Sequence, residues 1–311
     1  MKYKLSIVSP CYNEEKRISP FLKSLEAQTV KPEIIFVDGG SSDRTVEIIE
    51  SFMRRNINMR LLKEAGSRSP ANARNIGIKA ATGNLLVVLN ADSILEKDYT
   101  KKIVEGFTEH PDADAVTFNH KPILPKMNVF ERALFLRDEI YGYAGKHGAM
   151  KTAVQRKAGF YDPKLGFGED RLIRRAFAKM KIKTVHVDNE ISMSQTSYPD
   201  IGGFFSRCLW YGRTLPMYLK KEMNTSLAAF YALSIIFMPL LFLSWINPLH
   251  IALLAVIAVP FLYGIFRSAV IIKKGYPSKA LILLPFLEII SFVGIGAGFY
   301  QYLFGNRTIG R

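Results

Sequence analysis

Three long apolar stretches occupy the last third of this chain, at 227–245, 250–272 and 281–304, and they restrict its architecture more than any other feature. Each is near the roughly 20 residues an α-helix needs to cross the hydrocarbon core of a bilayer. The first 200 residues carry charges throughout and read as ordinary water-soluble chain. The expected organisation is therefore a soluble domain at 1–202, a joining segment at 203–226 and a transmembrane domain at 227–311. The joining segment mixes aromatics with cations (Phe204, Phe205, Arg207, Trp210, Tyr211, Arg213, Lys220, Lys221), the composition of a helix lying in a membrane interface.

Charge orients the spans. The link Ile246-Asn247-Pro248-Leu249 is uncharged, whereas the next link contains Lys273, Lys274 and Lys279. The positive-inside rule puts the lysine link in the cytosol, with Arg267 expected to snorkel to the same interface. The first domain then shares the cytosolic side. Its opening run, Met-Lys-Tyr-Lys-Leu-Ser-Ile-Val, is too short for a signal peptide. The net charge of +15 fits anionic headgroups better than nucleic acid, given the apolar stretches beside it. Two distant cysteines, Cys11 and Cys208, make neither a disulfide framework nor a zinc spacing. Glu288 lies inside the third apolar stretch. A carboxylate there is costly and faces protein or water, so it bonds another helix, is protonated, or meets a lipid-linked substrate.

The soluble part alternates short apolar strands (5–9, 34–37, 59–62, 85–89) with amphipathic helices (16–27, 43–53, 70–81). That rhythm predicts an α/β domain with a mostly parallel sheet and helices on both faces. Farther on, 115–118 reads as a strand, and 129–141 and 171–180 read as helices. Sheets of this kind bind ligands beyond the carboxyl ends of their strands. The residues there are Pro10-Cys11-Tyr12-Asn13-Glu14-Glu15, Asp38-Gly39-Gly40-Ser41-Ser42-Asp43 and Asn90-Ala91-Asp92-Ser93. Each cluster alone is ordinary turn chemistry; three on one edge make a site.

These segments, with Ala73-Arg74-Asn75-Ile76-Gly77 and the later Gly168-Glu169-Asp170, resemble in order and spacing the signatures of family-two glycosyltransferases with the GT-A, Rossmann-like fold. The resemblance covers roughly 4–215. It implies a UDP- or GDP-sugar donor, with Pro10, Tyr12, Asn13, Glu14, Asp38, Arg74, Asn90 and Ala91 around the nucleotide sugar. By the same resemblance Asp38 accepts a hydrogen bond from the base. Asp92, which follows a buried strand, is the candidate ligand for Mg²⁺ or Mn²⁺, ions that prefer hard oxygen donors. The chain departs from the family at Asn90, where an Asp is usual; an amide adds no negative charge for a metal. Asp170 is the candidate general base for a hydroxyl acceptor attacking with inversion, and Glu169 would orient the acceptor or the base. Acids that open a helix are also favoured by its dipole.

The expected function is transfer of a sugar to a lipid-linked or membrane-proximal hydroxyl. A polyprenyl-phosphate sugar synthase is the alternative enzyme, whose phosphate acceptor needs no base. A non-catalytic membrane scaffold or nucleotide-sugar sensor is the alternative outside enzymes. A processive synthase is disfavoured, because Arg207 and Trp210 are not adjacent and no Gln-x-x-Arg-Trp motif occurs.

Overall fold

The computed structural model describes residues 3–55, 58–64, 69–123, 126–141, 147–165, 169–195, 198, 200–221, 234–236 and 250–305. The chain divides into two compact units. The first comprises 1–124 and 145–196, and the second 125–144 and 197–309.

The first unit is built on an eight-stranded sheet. Its strands are β1 (Leu5–Cys11), β2 (Glu33–Asp38), β3 (Met59–Lys63), β4 (Leu85–Val88), β5 (Ser93–Leu95), β6 (Ala115–Pro122), β7 (His147–Lys151) and β8 (Thr184–Gln195), in the order β3-β2-β1-β4-β7-β6-β8-β5. Strands β1 to β4 run parallel. Beyond β4 the sheet is mixed: β7 lies antiparallel to both β4 and β6, β6 is parallel to β8, and β5 is antiparallel to β8. The sequence expectation of a mostly parallel sheet therefore holds for its first half only. The reason is local. Strand β7 carries Gly148, and a Cβ there would lie 2.0 Å from the Val116 carbonyl oxygen. Glycine admits the neighbouring strand, and it also disguises the segment as a loop in the sequence.

The helices of this unit are α1 (Ile18–Glu26), α2 (Thr45–Met53), α3 (Pro70–Ala80), α4 (Tyr99–Glu109), with α6 (Thr152–Ala158) and α7 (Glu169–Met180) after β7. They cover both faces of the sheet, and the strands show why. On β1, Leu5 and Ile7 join a core with Phe21, Leu22 and Leu25 of α1, while Val8 joins a core with Ala71, Ala73 and Ile78 of α3. On β2, Ile34 and Phe36 face the first core, and Ile35 and Val37 the second. Alternate side chains point to opposite faces, so a strand buried on both sides reads as continuously apolar. Helix α3 packs tightly: a Cβ at Gly77 would lie 2.3 Å from a Val8 methyl.

The second unit is helical. It contains α5 (Val129–Phe135), a π-helical turn (Leu136–Tyr141), α8 (Ile201–Lys221), α9 (His250–Lys273), a 3₁₀ segment (Lys279–Leu283) and α10 (Leu284–Phe304). Helix α5 starts with a capping box between Asn128 and Glu131. Helices α8 and α10 meet through glycines. A Cβ at Gly212 would fall 2.0 Å from the Ile295 carbonyl oxygen, and one at Gly298 the same distance from that of Leu209. Small residues let two backbones approach in this way.

Among the described residues one helix, Lys279–Phe304, is long and apolar enough to cross a membrane. Of the three spans expected from sequence, the third corresponds to that candidate. The first apolar stretch lies outside the described residues except for 234–236, and the second forms α9. Arg267 does not snorkel. It is 7% exposed, its Nη1 lies 2.5 Å from Glu288 Oε1, and its Nη2 donates to the Arg137 carbonyl at 2.6 Å. Glu288 is fully buried and is also gripped by Arg137, Nε to Oε1 at 2.9 Å and Nη2 to Oε2 at 3.3 Å. Arg137 reaches on to Asp138 at 2.8 Å, and Asp138 to Arg207 at 2.5 Å. Of the expectations for Glu288, a bond to neighbouring helical elements is what the structure shows.

Candidate active site

Strand order locates the crevice. From β1 the chain proceeds to β2 and β3 on one side, then returns to place β4 on the other. The reversal between β1 and β4 is a topological switch point, where the loops beyond adjacent strand ends part and leave room for a ligand. In register, Val8 sits beside Val88, so the segments after Cys11 and after Val88 flank the same opening.

The loop after β1 is held by the loop after β2. Asn13 takes a left-handed conformation (φ 52°), its backbone N–H donates to Ser41 Oγ at 2.9 Å, and its side-chain oxygen accepts from the Ser42 N–H at 2.9 Å. The Glu14 N–H donates to Thr45 Oγ1 at 2.7 Å, and the Glu15 N–H to Asp43 at 3.1 Å. Asp38, at the end of β2, is 4% exposed. Its carboxylate accepts from the Gly40 N–H at 3.0 Å and from both the N–H and the hydroxyl of Ser41. The Ser41 N–H is shared by both oxygens, at 3.2 and 3.1 Å, so these bonds engage all of the roughly four lone-pair positions of the carboxylate. Gly40 has φ 86°, a conformation that favours glycine. Cys11 is buried beneath these loops. Burial first, then the carboxylates of Asp38, Glu14 and Asp43, push its thiol above the usual value, so it stays protonated and unreactive.

Arginines join the clusters across the crevice. Arg17, next to the start of α1, places Nη2 2.7 Å from Glu14 Oε2 and Nη1 3.2 Å from Asp92 Oδ2. A cation at a helix N-terminus works against the helix dipole, and these two carboxylates offset that. Arg74, on α3, is 9% exposed; its Nη2 donates to Asn90 Oδ1 at 3.3 Å, and its guanidinium lies 5.4 Å from the Tyr161 ring centre. Asn75 fixes Tyr161 through a bond in each direction with its backbone, at 2.7 and 2.8 Å. Ala91, 2% exposed, seats the Asn90–Asp92 turn in the core. Glu64, directly after β3, accepts from Asn72 at 2.9 Å and donates its backbone N–H to the Asp38 carbonyl at 2.8 Å.

The structure thus brings Asn13, Glu14, Asp38, Arg74, Asn90, Ala91 and Asp92 to one edge, with Pro10 and Tyr12 on the same loop end. Glu169 and Asp170 open α7 in the same unit; their side chains lie outside the described residues. Arg17, Glu64 and Tyr161 were not foreseen. Glu64 was detectable as one more acid following a strand. Arg17 and Tyr161 gain their partners only through the tertiary fold.

No group of three or more His, Cys, Asp or Glu that would hold a metal alone occurs among the described residues. Asp92 nevertheless offers a hard carboxylate that already takes a cationic partner. A hard carboxylate of this kind could hold a Mg²⁺ or Mn²⁺ ion.

The model of glycosyl transferase family 2 matches residues 6–162, about half of the chain. The poly-beta-1,6-N-acetyl-D-glucosamine synthase of Staphylococcus epidermidis is 30% identical over 173 residues, which cover 51% of this chain and 42% of that protein. The glycosyltransferase GlyG of Streptococcus pneumoniae is 32% identical over 117 residues, covering 37% and 38%. The chain spans less than half the length of these curated relatives. Among solved structures, S. aureus TarS superposes with a TM-score of 0.55 at 18% identity, over 96% of this chain and 55% of that one. The mannosyltransferase PcManGT from Pyrobaculum calidifontis, in complex with GDP-Man and Mn²⁺, gives 0.54 at 17%, over 97% and 87%. At these identities the likeness is one of fold.

Proposed function

Because the chain belongs to glycosyl transferase family 2, we propose that it moves a sugar from a UDP- or GDP-sugar to a hydroxyl of a lipid-linked or membrane-proximal acceptor, with inversion at the anomeric carbon. The observation that carries the reading is the joining of the β1 and β4 loop ends across the switch point by Arg17, Glu14 and Asp92. A cluster of carboxylates, amides and guanidiniums at that place suits a nucleoside diphosphate ester. Relatives and fold neighbours support the donor class, since solved neighbours hold UDP-GlcNAc or GDP-Man.

Each residue has a part in this proposal. Asp38 accepts a base N–H in place of one of the two contacts it shares with the Ser41 N–H, and Pro10, Tyr12 and Asn13 wall the nucleoside. Glu14 keeps Arg17 in place. Arg74 and Asn90 bond the ribose and diphosphate side of the donor, with Tyr161 fixing the Arg74 plane. Asp92 holds a divalent ion, which when bound supplies Lewis-acid stabilisation of the departing diphosphate. Asp170 takes the acceptor hydroxyl proton as that oxygen attacks, and Glu169 orients the acceptor. The transferase domain, about 1–202, stays on the cytoplasmic face, an interfacial segment follows at 203–226, and the region from 227 anchors the protein in the membrane. Residues 279–304 form one candidate span, and the stretches at 227–245 and 250–272 are proposed as two more.

The test uses purified full-length protein with divalent metal and a panel of UDP- and GDP-sugars. Wild type turns over one donor, while Asp92→Ala and Asp170→Asn each lose at least about a hundredfold, the range for removing a general base or an electrostatic stabiliser. Wild-type turnover in both variants would refute the site.

A further inference from the structure

A divalent ion at Asp92 would meet a guanidinium already there. Arg17 Nη1 lies 3.2 Å from Asp92 Oδ2 while Nη2 is held 2.7 Å from Glu14 Oε2. The three side chains are only 9–15% exposed, so solvent screens them poorly. Asn90 adds no charge, and its side-chain oxygen accepts from a second guanidinium, Arg74. Arg17 thus already sets a positive charge against the Asp92 carboxylate, which makes that carboxylate alone a weaker lure for a dication. Guanidinium also stays charged at any physiological pH, so no proton loss clears the way.

We infer that Arg17 is a built-in counter-cation that competes with the divalent ion for Asp92, so that the ion enters only together with a nucleotide diphosphate. This rests on the assignment of Asp92 above. The diphosphate shifts the balance in two ways. It adds oxygen ligands and negative charge for the ion, and it offers the freed arm of Arg17 a new acceptor suited to its planar fork. Glu14 keeps Arg17 tethered during the exchange, ready to return to Asp92 when nucleotide and ion leave. The free enzyme thereby does not accumulate metal without donor.

Mn²⁺ binding to the purified full chain, read by the electron paramagnetic resonance of free Mn²⁺, tests this with UDP and GDP as probes. In wild type, at least one nucleotide should tighten Mn²⁺ binding by about tenfold or more. Arg17→Met should tighten binding without nucleotide by a similar factor, and the gain should vanish in Arg17→Met/Asp92→Asn. Should Arg17→Met not fold, as judged by its melting curve, Arg17→Lys carries the test. It keeps the charge but has no fork to hold both carboxylates, and should give a gain of about threefold. If the folded variant binds Mn²⁺ no better than wild type without nucleotide, while wild type still responds to UDP or GDP, Arg17 is a structural ion pair and this inference falls alone. If neither nucleotide brings Mn²⁺ to wild type, the metal role of Asp92 falls with it.

Discussion

Asp43 braces the crevice from behind. It accepts from Thr45 Oγ1 at 2.5 Å, from the Thr45 N–H at 3.0 Å and from the Glu15 N–H at 3.1 Å, so it ties the loop after β2 to the loop after β1. Burial pushes its carboxyl upward, but these hydrogen bonds outweigh burial and hold it below the ordinary aspartate value. Glu33 behaves alike, its burial outweighed by Ser6, Thr82 and Arg60. A carboxylate with a depressed folded pKa stabilises the fold fully above the unfolded value, roughly 4, and loses that contribution as pH falls through the folded value. Urea midpoints should therefore drop steadily below about pH 4, and Asp43→Asn should flatten part of that slope; an unaltered slope would contradict the assignment. Residues of this scale were legible in proportion to their closeness to a strand end. Glu14, Asp38, Asn90 and Asp92 follow apolar strands and stood out, whereas Arg17 has no meaning until β4 lies beside β1.

Between elements, close packing decides. Helices α8 and α10 touch backbone to backbone at Gly212 and Gly298, where a Cβ would lie 2.0 Å from a carbonyl oxygen. Alanine is the better helix former by about 1 kcal/mol on an open helix, so the sign of its effect is diagnostic. Gly298→Ala should destabilise the detergent-purified protein by about 1–3 kcal/mol, the usual cost of overpacking, seen as a lower melting temperature; a rise would mean that the helices are not in contact there. The first four strands and three helices were legible because their apolar residues keep period 2 or 3.6 over enough length. Strand β7 was hidden by Gly148 and its brevity. Helix α4 was not anticipated, although Tyr99, Ile103 and Phe107 lie on one face and are fully buried.

At the scale of the whole molecule, the mid-chain segment 125–144 belongs with the C-terminal helices rather than with the sheet that surrounds it in sequence. A buried ion cluster secures it. Glu288 bonds Arg137, 151 residues away, and Arg267. The sequence exposed the cost of Glu288 but not the partners that meet it. Removing one member of a buried pair strands the others, typically at about 3–5 kcal/mol, so Glu288→Gln should lower the melting temperature sharply. A neutral result would mean that the arginines find other partners. Sugar transfer to a lipid hydroxyl is read by mass analysis of lipid products. Full-length protein is incubated with Mg²⁺ or Mn²⁺, a panel of UDP- and GDP-sugars and a membrane lipid extract. The prediction is one lipid product heavier by a single transferred sugar, stable to mild acid and absent with Asp92→Ala. No sugar-bearing product from any donor would contradict the claim, and an acid-labile product would replace the hydroxyl acceptor with a polyprenyl phosphate.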